Sequence, residues 1–230
     1  GKIKAIWIMC TNPIVSLPEA DSIKAALEAC DFVVVSDLSG EVETAKVADV
    51  VLPATGWGEK NGTVTNSDRI ISRQRPLLPP AGGSRHDWDI ISDVGRRMGW
   101  HDAFNYASPA EIFNEFAKLS GECAVHGRDF DISGLAGVDD DAMSPTRWPI
   151  CSDGSHTERF FADGSFFTPS GKANAVAVHF RDAVSRKEPK YPYRLNTGRI
   201  RDQWHTMTRS GLSAKLSQHL PEPFVEIHPA

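Results

Sequence analysis

The chain has 230 residues, of which 40% are hydrophobic and 24% charged, and its formal net charge is −5. This composition is typical of a globular protein with room for one large domain or one and a half smaller ones. The acidic balance does not support a nucleic-acid partner, which usually needs a basic face. The longest apolar runs, Ala5 to Met9 and Phe32 to Val35, are far too short to cross a bilayer, so no membrane partner is expected.

Cysteine usage bears on metal sites and on location. The cysteines form no C-x-x-C pair, and the histidines show neither H-x-x-E-H nor H-E-x-x-H spacing, so no metal site is expected in this sequence. No secretory signal opens the chain, which argues against disulfides and favours the cytoplasm. Because the chain lacks an initiator Met and begins inside a strand-like segment, we expect it to be a piece of a longer protein.

The first quarter of the chain alternates strand-like and helix-like segments. Apolar runs predict buried strands at Ala5 to Met9, Phe32 to Ser36 and Asp49 to Leu52. Between the strands, the spacing of apolar residues predicts a helix capped by Asp21 and then a short helical stretch at residues 43–48. The order βαβαβ predicts the α/β class with a parallel sheet.

Two further helices are predicted before the pattern becomes irregular. The first runs from Trp88 to Met98, with Asp87 as its cap and Gly99 just beyond its end. The second begins at a capping box, Ser108 to Glu111, with proline at the first helical position, and is expected to end at Gly121.

From residue 122 to 190 the sequence predicts an irregular connection that lies over the surface of another unit, because its apolar residues are isolated aromatics. Residues 160–167, with two Phe-Phe pairs, are compatible with a short hairpin. Beyond them, Tyr193 to Leu195 and Phe224 to Ile227 are predicted strands, with a possible short helix from Ser213 to His219.

Ligands of parallel sheets bind beyond the carboxyl ends of the strands, so the residues that follow each strand are candidate contacts. Asn12 follows the first strand in a segment that is not G-x-G-x-x-G, which disfavours an ordinary NAD enzyme. Ser36 and Asp37 end the second strand, and a carboxylate there can accept from ribose hydroxyls or from a guanine edge. Asp37 is equally compatible with a helix cap or turn residue.

The segment after the third strand supplies weaker candidates. Asn61-Gly62 is a tight-turn signal, and Lys60 beside it is a candidate phosphate or ring-edge contact, although surface turns often carry a lysine. Asp87 has the same ambiguity as Asp37 between helix cap and ligand contact.

A polar loop at residues 197–209, TGRIRDQWHTMTR, combines three arginines, a tryptophan and a glycine. Arginine guanidinium groups bind phosphate oxygens bidentately and stack on flat rings. The loop is therefore expected to bind a large, flat, phosphorylated ligand; the alternative is a solvated turn with scattered arginines.

Taken together, these motifs resemble the molybdopterin oxidoreductases of the dimethyl sulfoxide reductase superfamily. The matching segments, in the family's order, are residues 11–13, 35–37, 44–53, 59–62, 66–69, 87–88, 147–149 and 169–173. The sequence from Gln203 to Arg209 resembles the assimilatory nitrate reductase branch in particular. The resemblance covers essentially the whole chain and is tightest in residues 5–90 and 193–210.

The resemblance implies a molybdenum ion held by two pyranopterin guanine dinucleotides, and two-electron oxo transfer from nitrate to give nitrite. It implies that one guanine dinucleotide is lined by Asn12, Ser36, Asp37, Lys60 and Asp87. It further implies that the polar loop closes over the cofactor through Thr197, Gly198, Arg199, Gln203, Trp204, His205 and Thr206. An iron–sulfur cluster, the molybdenum ligand and contact with an electron-donor protein or domain are expected outside this sequence.

In domain terms, the resemblance implies an α/β molybdopterin-guanine-dinucleotide-binding domain in residues 1–121 and an irregular connection in 122–190. Residues 191–230 would be the truncated start of a C-terminal β-barrel domain. The chain is then expected to be inactive alone, with the missing N- and C-terminal domains of the same polypeptide as its partners.

Three alternatives remain open at this point. The chain could belong to another superfamily member, such as a formate dehydrogenase or a periplasmic nitrate reductase, because the residue that would separate them is absent. It could also be a non-catalytic nucleotide-binding module, or a purely structural α/β domain. Flanking coding sequence with an early cysteine cluster would favour the reductase.

Overall fold

The computed structural model describes residues 2–139 and 142–228. Its strands are Ala5–Met9 (β1), Phe32–Asp37 (β2), Val50–Pro53 (β3), Gly62–Thr65 (β4), Ile70–Gln74 (β5) and Thr146–Arg147 (β6). Its helices are Pro13–Ser16 (α1), Ala20–Glu28 (α2), Asp87–Arg97 (α3), Pro109–Ala124 (α4) and Ala214–Ser217 (α5). None of the helices in this described part of the chain combines the length and the apolar character of a membrane-crossing segment.

A three-stranded parallel sheet in the order β1-β2-β3 confirms the predicted α/β class and the predicted strands. The central strand β2 pairs with β1 from Ala5↔Phe32 to Met9↔Ser36, and with β3 from Val34↔Val50 to Asp37↔Pro53. The crossover after β1 contains α1, which was not predicted, and α2, which was. The second crossover contains a single 3-10 turn, Ala45–Val47, in place of a full helix.

The sheet forms its own hydrophobic core with the crossover residues. Val33 and Val35 on the central strand are 1% and 0% exposed, because residues two apart share one face of a sheet and this face is covered by the crossover residues. The rest of this core consists of Ile8, Ile14, Leu27, Val42 and Ala45. This packing fixes the carboxyl ends of the three strands side by side.

A second, antiparallel sheet was not predicted and lies beside α4. Strand β5 pairs with β4 and, across a long sequence separation, with β6. The turn between β4 and β5 lies at Asn66–Arg69, where Arg69 has a left-handed φ of 65°, and not at Asn61-Gly62. The second core contains Ile71, Ala117, Ile132, Leu135 and Met143.

The structure corrects three predicted helix ends. Glu19 and His86 are the residues that precede α2 and α3, so Asp21 and Asp87 lie in the first turns and do not cap them. Ser108 does cap α4, since its hydroxyl accepts from the backbone N–H of Glu111 at 3.4 Å. Helix α4 continues past Gly121 to Ala124, whereas Gly99, with φ of 100°, follows the C-cap of α3 as predicted.

Among the described residues of 122–190, the elements include the end of α4, the 3-10 turn Ser133–Leu135 and the short strand β6, and the hairpin suggested at residues 160–167 is not formed. The rings of Phe161 and Phe166 stack with centroids 4.7 Å apart, without strands. Arg69 lies beside this aromatic group, 4.4 Å from the Phe160 ring, and donates to the backbone carbonyls of Trp148 and Glu158 at 2.8 and 2.6 Å.

The two strands predicted near the carboxyl end are wrong. Residues 193–195 and 224–227 form no ladder with any described residue, and Leu195 is 91% exposed. A strand needs a partner for its backbone groups, and two isolated candidates do not supply one for each other. The possible helix at residues 213–219 is confirmed only as the short α5.

Candidate functional site: a cleft at the carboxyl ends of the parallel strands

A cleft of about 360 Å³ opens where the three parallel strands end. The residues that follow the strands supply its base, because parallel strands present all their carboxyl ends at one edge of the sheet. The polar loop of residues 197–209 supplies the opposite wall. The cleft is lined by Cys10, Thr11, Asn12, Ser16, Ser36, Asp37, Leu38, Ala54, Thr55, Lys60, Asp87, Trp204, His205, Thr206, Thr208 and Arg209.

Asn12 is a structural anchor at the base of this cleft. Its side-chain oxygen accepts from both the backbone N–H and the hydroxyl of Thr44, at 3.2 and 2.6 Å, and its amide nitrogen donates to Glu43 at 2.8 Å. The hydrogen bond from Asn12 holds the pKa of the Glu43 carboxyl below its usual value. Asn12 therefore joins the residues after β1 to those before β3 while it borders the cleft.

Ser36 and Asp37 differ in how much of each side chain is available. The Ser36 hydroxyl is buried and accepts from the indole N–H of Trp7 at 2.9 Å. One carboxylate oxygen of Asp37 accepts from the backbone N–H of Ser39 at 3.2 Å, in a local turn. An Asp carboxylate has about four acceptor positions. The second oxygen of Asp37 therefore remains able to accept from a ligand.

Lys60 and Asp87 meet at the cleft as an ion pair. Lys60 Nζ lies 2.6 Å from Asp87 Oδ2, with the two side chains 33% and 22% exposed. Asp87 is the first residue of α3, where the positive end of the helix dipole favours a carboxylate. Next to it, the Thr55 hydroxyl and His86 Nδ1 share a hydrogen bond of 2.9 Å.

The polar loop is folded by its own side chains. Gln203 is buried, accepts from the Ser210 hydroxyl at 2.6 Å, and lies within 3.5 Å of the Ser217 hydroxyl. Ser210 also accepts from the backbone N–H of Trp204 at 2.9 Å. This network explains how an exposed loop keeps a defined turn, in which His205 adopts a left-handed φ of 48°.

The structure brings most of the sequence-predicted contacts into one place. All five residues expected from the α/β unit line the cleft, as do Trp204, His205 and Thr206 from the loop. Thr197, Gly198, Arg199 and Gln203 do not line it. Arg199 instead lies over the Trp204 ring, 5.1 Å from its centroid, and Gln203 supports the loop from within.

Several cleft residues were missed by sequence reasoning. Thr11 and Thr55 could have been predicted, because each lies within two residues of the end of a parallel strand, where ligands of such sheets bind. Thr208 and Arg209 belong to the polar loop, but no sequence signal separates them from its other polar residues. Only the fold of the loop selects which of its arginines faces the cleft.

Residues 1–97 match the family model described as "Molybdopterin oxidoreductase". This stretch contains the parallel sheet and the five α/β residues of the cleft.

Individual relatives extend the similarity over the whole chain. The chain is 48% identical to a nitrate reductase of Shewanella frigidimarina, over 99% of its own length and 25% of that relative. It is 36% identical to the assimilatory nitrate reductase catalytic subunit of Bacillus subtilis, over 100% of its length and 32% of that relative. It is also 36% identical to the F420-dependent formate dehydrogenase subunit alpha of Methanocaldococcus jannaschii, over 99% and 32%. The chain thus spans between a quarter and a third of these relatives.

A solved structure shares the fold. Acetylene hydratase from Pelobacter acetylenicus superposes with a TM-score of 0.52 at 21% sequence identity, covering 74% of this chain and 21% of that one. At this identity the similarity concerns the fold alone.

Proposed function

We propose that the chain is part of a molybdenum-dependent nitrate reductase and contributes the binding site for one molybdopterin guanine dinucleotide. The observation that carries this proposal is the convergence of Asn12, Ser36, Asp37, Lys60 and Asp87 with the polar loop on a single cleft. Ordinary small-molecule sites occupy roughly 300–1,000 Å³, and the cleft lies in that range.

The donor set of the cleft fits a phosphorylated nucleotide. Asp37 offers a carboxylate oxygen to an N–H edge or to ribose hydroxyls, and Arg209 and Lys60 offer cationic N–H groups to phosphate. Trp204, 63% exposed, presents an indole face on the loop side. Thr11, Ser16, Thr206 and Thr208 add hydroxyls. These are the group types that a base, a sugar and a pyrophosphate require.

In this proposal, the residues of the chain bind and orient the nucleotide, and the reaction takes place elsewhere in the protein. When bound, the molybdenum centre supplies two-electron oxo transfer, by which nitrate is reduced to nitrite. Lys60, held by Asp87, keeps a cationic group at the cleft, and the polar loop covers the open side. The iron–sulfur cluster, the electron donor, further domains of the same polypeptide and a cytoplasmic location are part of the same proposal.

The proposal is tested on the full-length protein that contains this chain. We expect stoichiometric molybdenum, two equivalents of guanine nucleotide released on denaturation, and nitrate reduction with reduced viologen as donor. The isolated chain of 230 residues is expected to contain no molybdenum and to reduce no nitrate. A full-length protein without molybdenum or guanine nucleotide would contradict the proposal and would favour a non-catalytic nucleotide-binding module.

Formate oxidation is the second candidate function, supported by the similarity to the formate dehydrogenase of Methanocaldococcus jannaschii. The same preparation separates the two. Turnover of formate with an oxidised viologen acceptor, without turnover of nitrate, would select the second candidate.

A further inference from the structure

The three arginines of the polar loop differ in what they contact. Arg199 lies over the Trp204 ring at 5.1 Å from its centroid, and it does not line the cleft. Arg201 donates to both carboxylate oxygens of Asp202, at 3.0 and 3.3 Å. Arg209 lines the cleft, and within residues 2–139 and 142–228 its guanidinium group forms neither a hydrogen bond nor an ion pair, although its backbone carbonyl accepts from Leu212.

The charges that line the cleft single out the same residue. They are the carboxylates of Asp37 and Asp87 and the cations of Lys60 and Arg209. The Lys60 ammonium is already balanced by Asp87 at 2.6 Å. Asp37 accepts from a backbone N–H and has no cationic partner among the described residues. Arg209 is therefore the cleft cation whose charge the described part of the chain leaves uncompensated, and it lies on the loop wall.

We propose that Arg209 binds a phosphate group of the nucleotide. The phosphates then lie against the loop wall, and the end that carries hydrogen-bond donors, the base or the ribose, lies against Asp37. This inference rests on the proposed nucleotide site and deepens it, because it assigns a polarity to the cleft. A guanidinium group forms two parallel hydrogen bonds to phosphate oxygens, which fixes orientation as well as affinity.

The turn of the loop supports this assignment. His205 and Met207 have left-handed φ angles of 48° and 64°, and Met207 is absent from the cleft wall while the residues on either side of it line the cleft. The hydroxyls of Thr206 and Thr208 lie 2.8 Å apart next to Arg209. Because one of these hydroxyls donates to the other, one O–H group and the guanidinium remain on this wall as donors for an anion.

The experiment measures the affinity of guanosine 5′-diphosphate and of guanosine for the full-length protein freed of its cofactor, by calorimetry. The variants are Arg209→Gln, Arg209→Lys and Arg194→Gln, the last removing the same charge from the same segment outside the cleft. We expect Arg209→Gln to lower the affinity for the diphosphate by roughly tenfold or more, and the affinity for guanosine by less than about twofold. Arg209→Lys should fall between, because it keeps the charge but not the two-pronged geometry. Arg194→Gln should match the wild type.

The outcomes separate this inference from the proposed function. If the wild type binds neither compound, both are wrong. If it binds the diphosphate and Arg209→Gln binds it equally well, the inference is wrong while the nucleotide site stands. If Arg209→Gln and Arg209→Lys each lose as much affinity for guanosine as for the diphosphate, Arg209 has a structural role. The inference is then again overturned.

Discussion

Lys60 Nζ and Asp87 Oδ2 lie 2.6 Å apart and join the segment that follows the 3-10 turn Trp57–Glu59 to the first turn of α3. Because both side chains are partly exposed, the pair contributes little to stability, about 0.2–1 kcal/mol. Its main effect is geometric, since it holds a lysine and a carboxylate at fixed positions beside the ends of the parallel strands. Substitution of either partner therefore changes the charge of the cleft as well as one contact.

Removal of either cleft carboxylate should lower cofactor content in the full-length protein. Asp37→Ala removes the acceptor offered to the base or ribose, at a cost of about 1.5–3 kcal/mol per charged hydrogen bond. Asp87→Ala also releases the Lys60 ammonium, whereas Asp87→Asn keeps an oxygen for it and should be milder. Molybdenum and guanine content per polypeptide report the effect. Glu28→Ala, at the last residue of α2 and not among the residues that line the cleft, is the control. Wild-type content in both Asp37→Ala and Asp87→Ala would refute the assignment.

The polar loop should exchange its backbone amide hydrogens faster than the central strand when no cofactor is present. Val33 and Val35 of β2 are almost fully buried, whereas Trp204 and Leu212 are 63% and 82% exposed. Exposed turns held by few contacts open at low free-energy cost. Hydrogen exchange of the free chain measures the contrast. Slow exchange across residues 197–212, equal to that of β2, would show that the Gln203–Ser210 network alone orders the loop.

Gly121→Ala should destabilise the protein although alanine is the better helix former. A Cβ at this position would lie 2.7 Å from Ser133 Cβ, an atom that no side-chain rotation can move away. Overpacking of this kind costs about 1–3 kcal/mol, more than the roughly 1 kcal/mol that alanine gains in a helix. The melting temperature in thermal unfolding measures which of the two effects is larger. Gly40→Ala is the control, because a Cβ added at Gly40 would have no atom within 4 Å. A raised melting temperature for Gly121→Ala would contradict the close packing of α4.

Asp131 should make the free energy of unfolding depend on pH in the acid range. Burial raises the pKa of this carboxyl, but hydrogen bonds from Ser133 and from the Cys151 thiol outweigh it and leave the pKa below its ordinary value. A lowered folded-state pKa gives stabilisation that is complete above about pH 4 and is lost as the pH falls through the folded value.

The matching variant is Asp131→Asn, which should unfold more easily than the wild type by about 1 kcal/mol near neutral pH. The difference should shrink as the pH falls below about 4, because the carboxyl is protonated first in the unfolded chain and then, at its lowered pKa, in the folded protein. Denaturant unfolding at a series of pH values measures it, with Glu122→Gln on α4 as a carboxylate control. A difference that stays constant down to pH 3 would exclude the carboxylate charge as its cause.

The parallel sheet could be predicted from sequence because its strands are short, apolar and separated by helical spacing. The same information placed Asp37 and Lys60 at one edge, since the carboxyl ends of parallel strands share an edge. The pairing of β6 with β5 could not be predicted, because the paired residues are 75 and 77 positions apart, with α3, α4 and irregular chain between them, and local pattern gives no signal over that distance.

Glycine and aspartate were the main sources of error. The sequence predicts a helix end at Gly121, but this residue is small so that α4 can approach Ser133. The sequence predicts Asp87 as a cap, but its partner is Lys60, 27 residues earlier in the chain. In both cases a contact distant in sequence determines the role of a residue whose local preference indicates another.

The sequence distance between the two walls of the cleft has a consequence for biosynthesis. The α/β side of the cleft is complete once the chain has been made to Asp87, whereas Trp204 is synthesised 117 residues later. At roughly 5–20 residues per second, a ribosome needs about 6–23 s to cover that distance. During this interval the strand ends of the nascent chain are open to solvent, and the wall that carries Arg209 closes over them last.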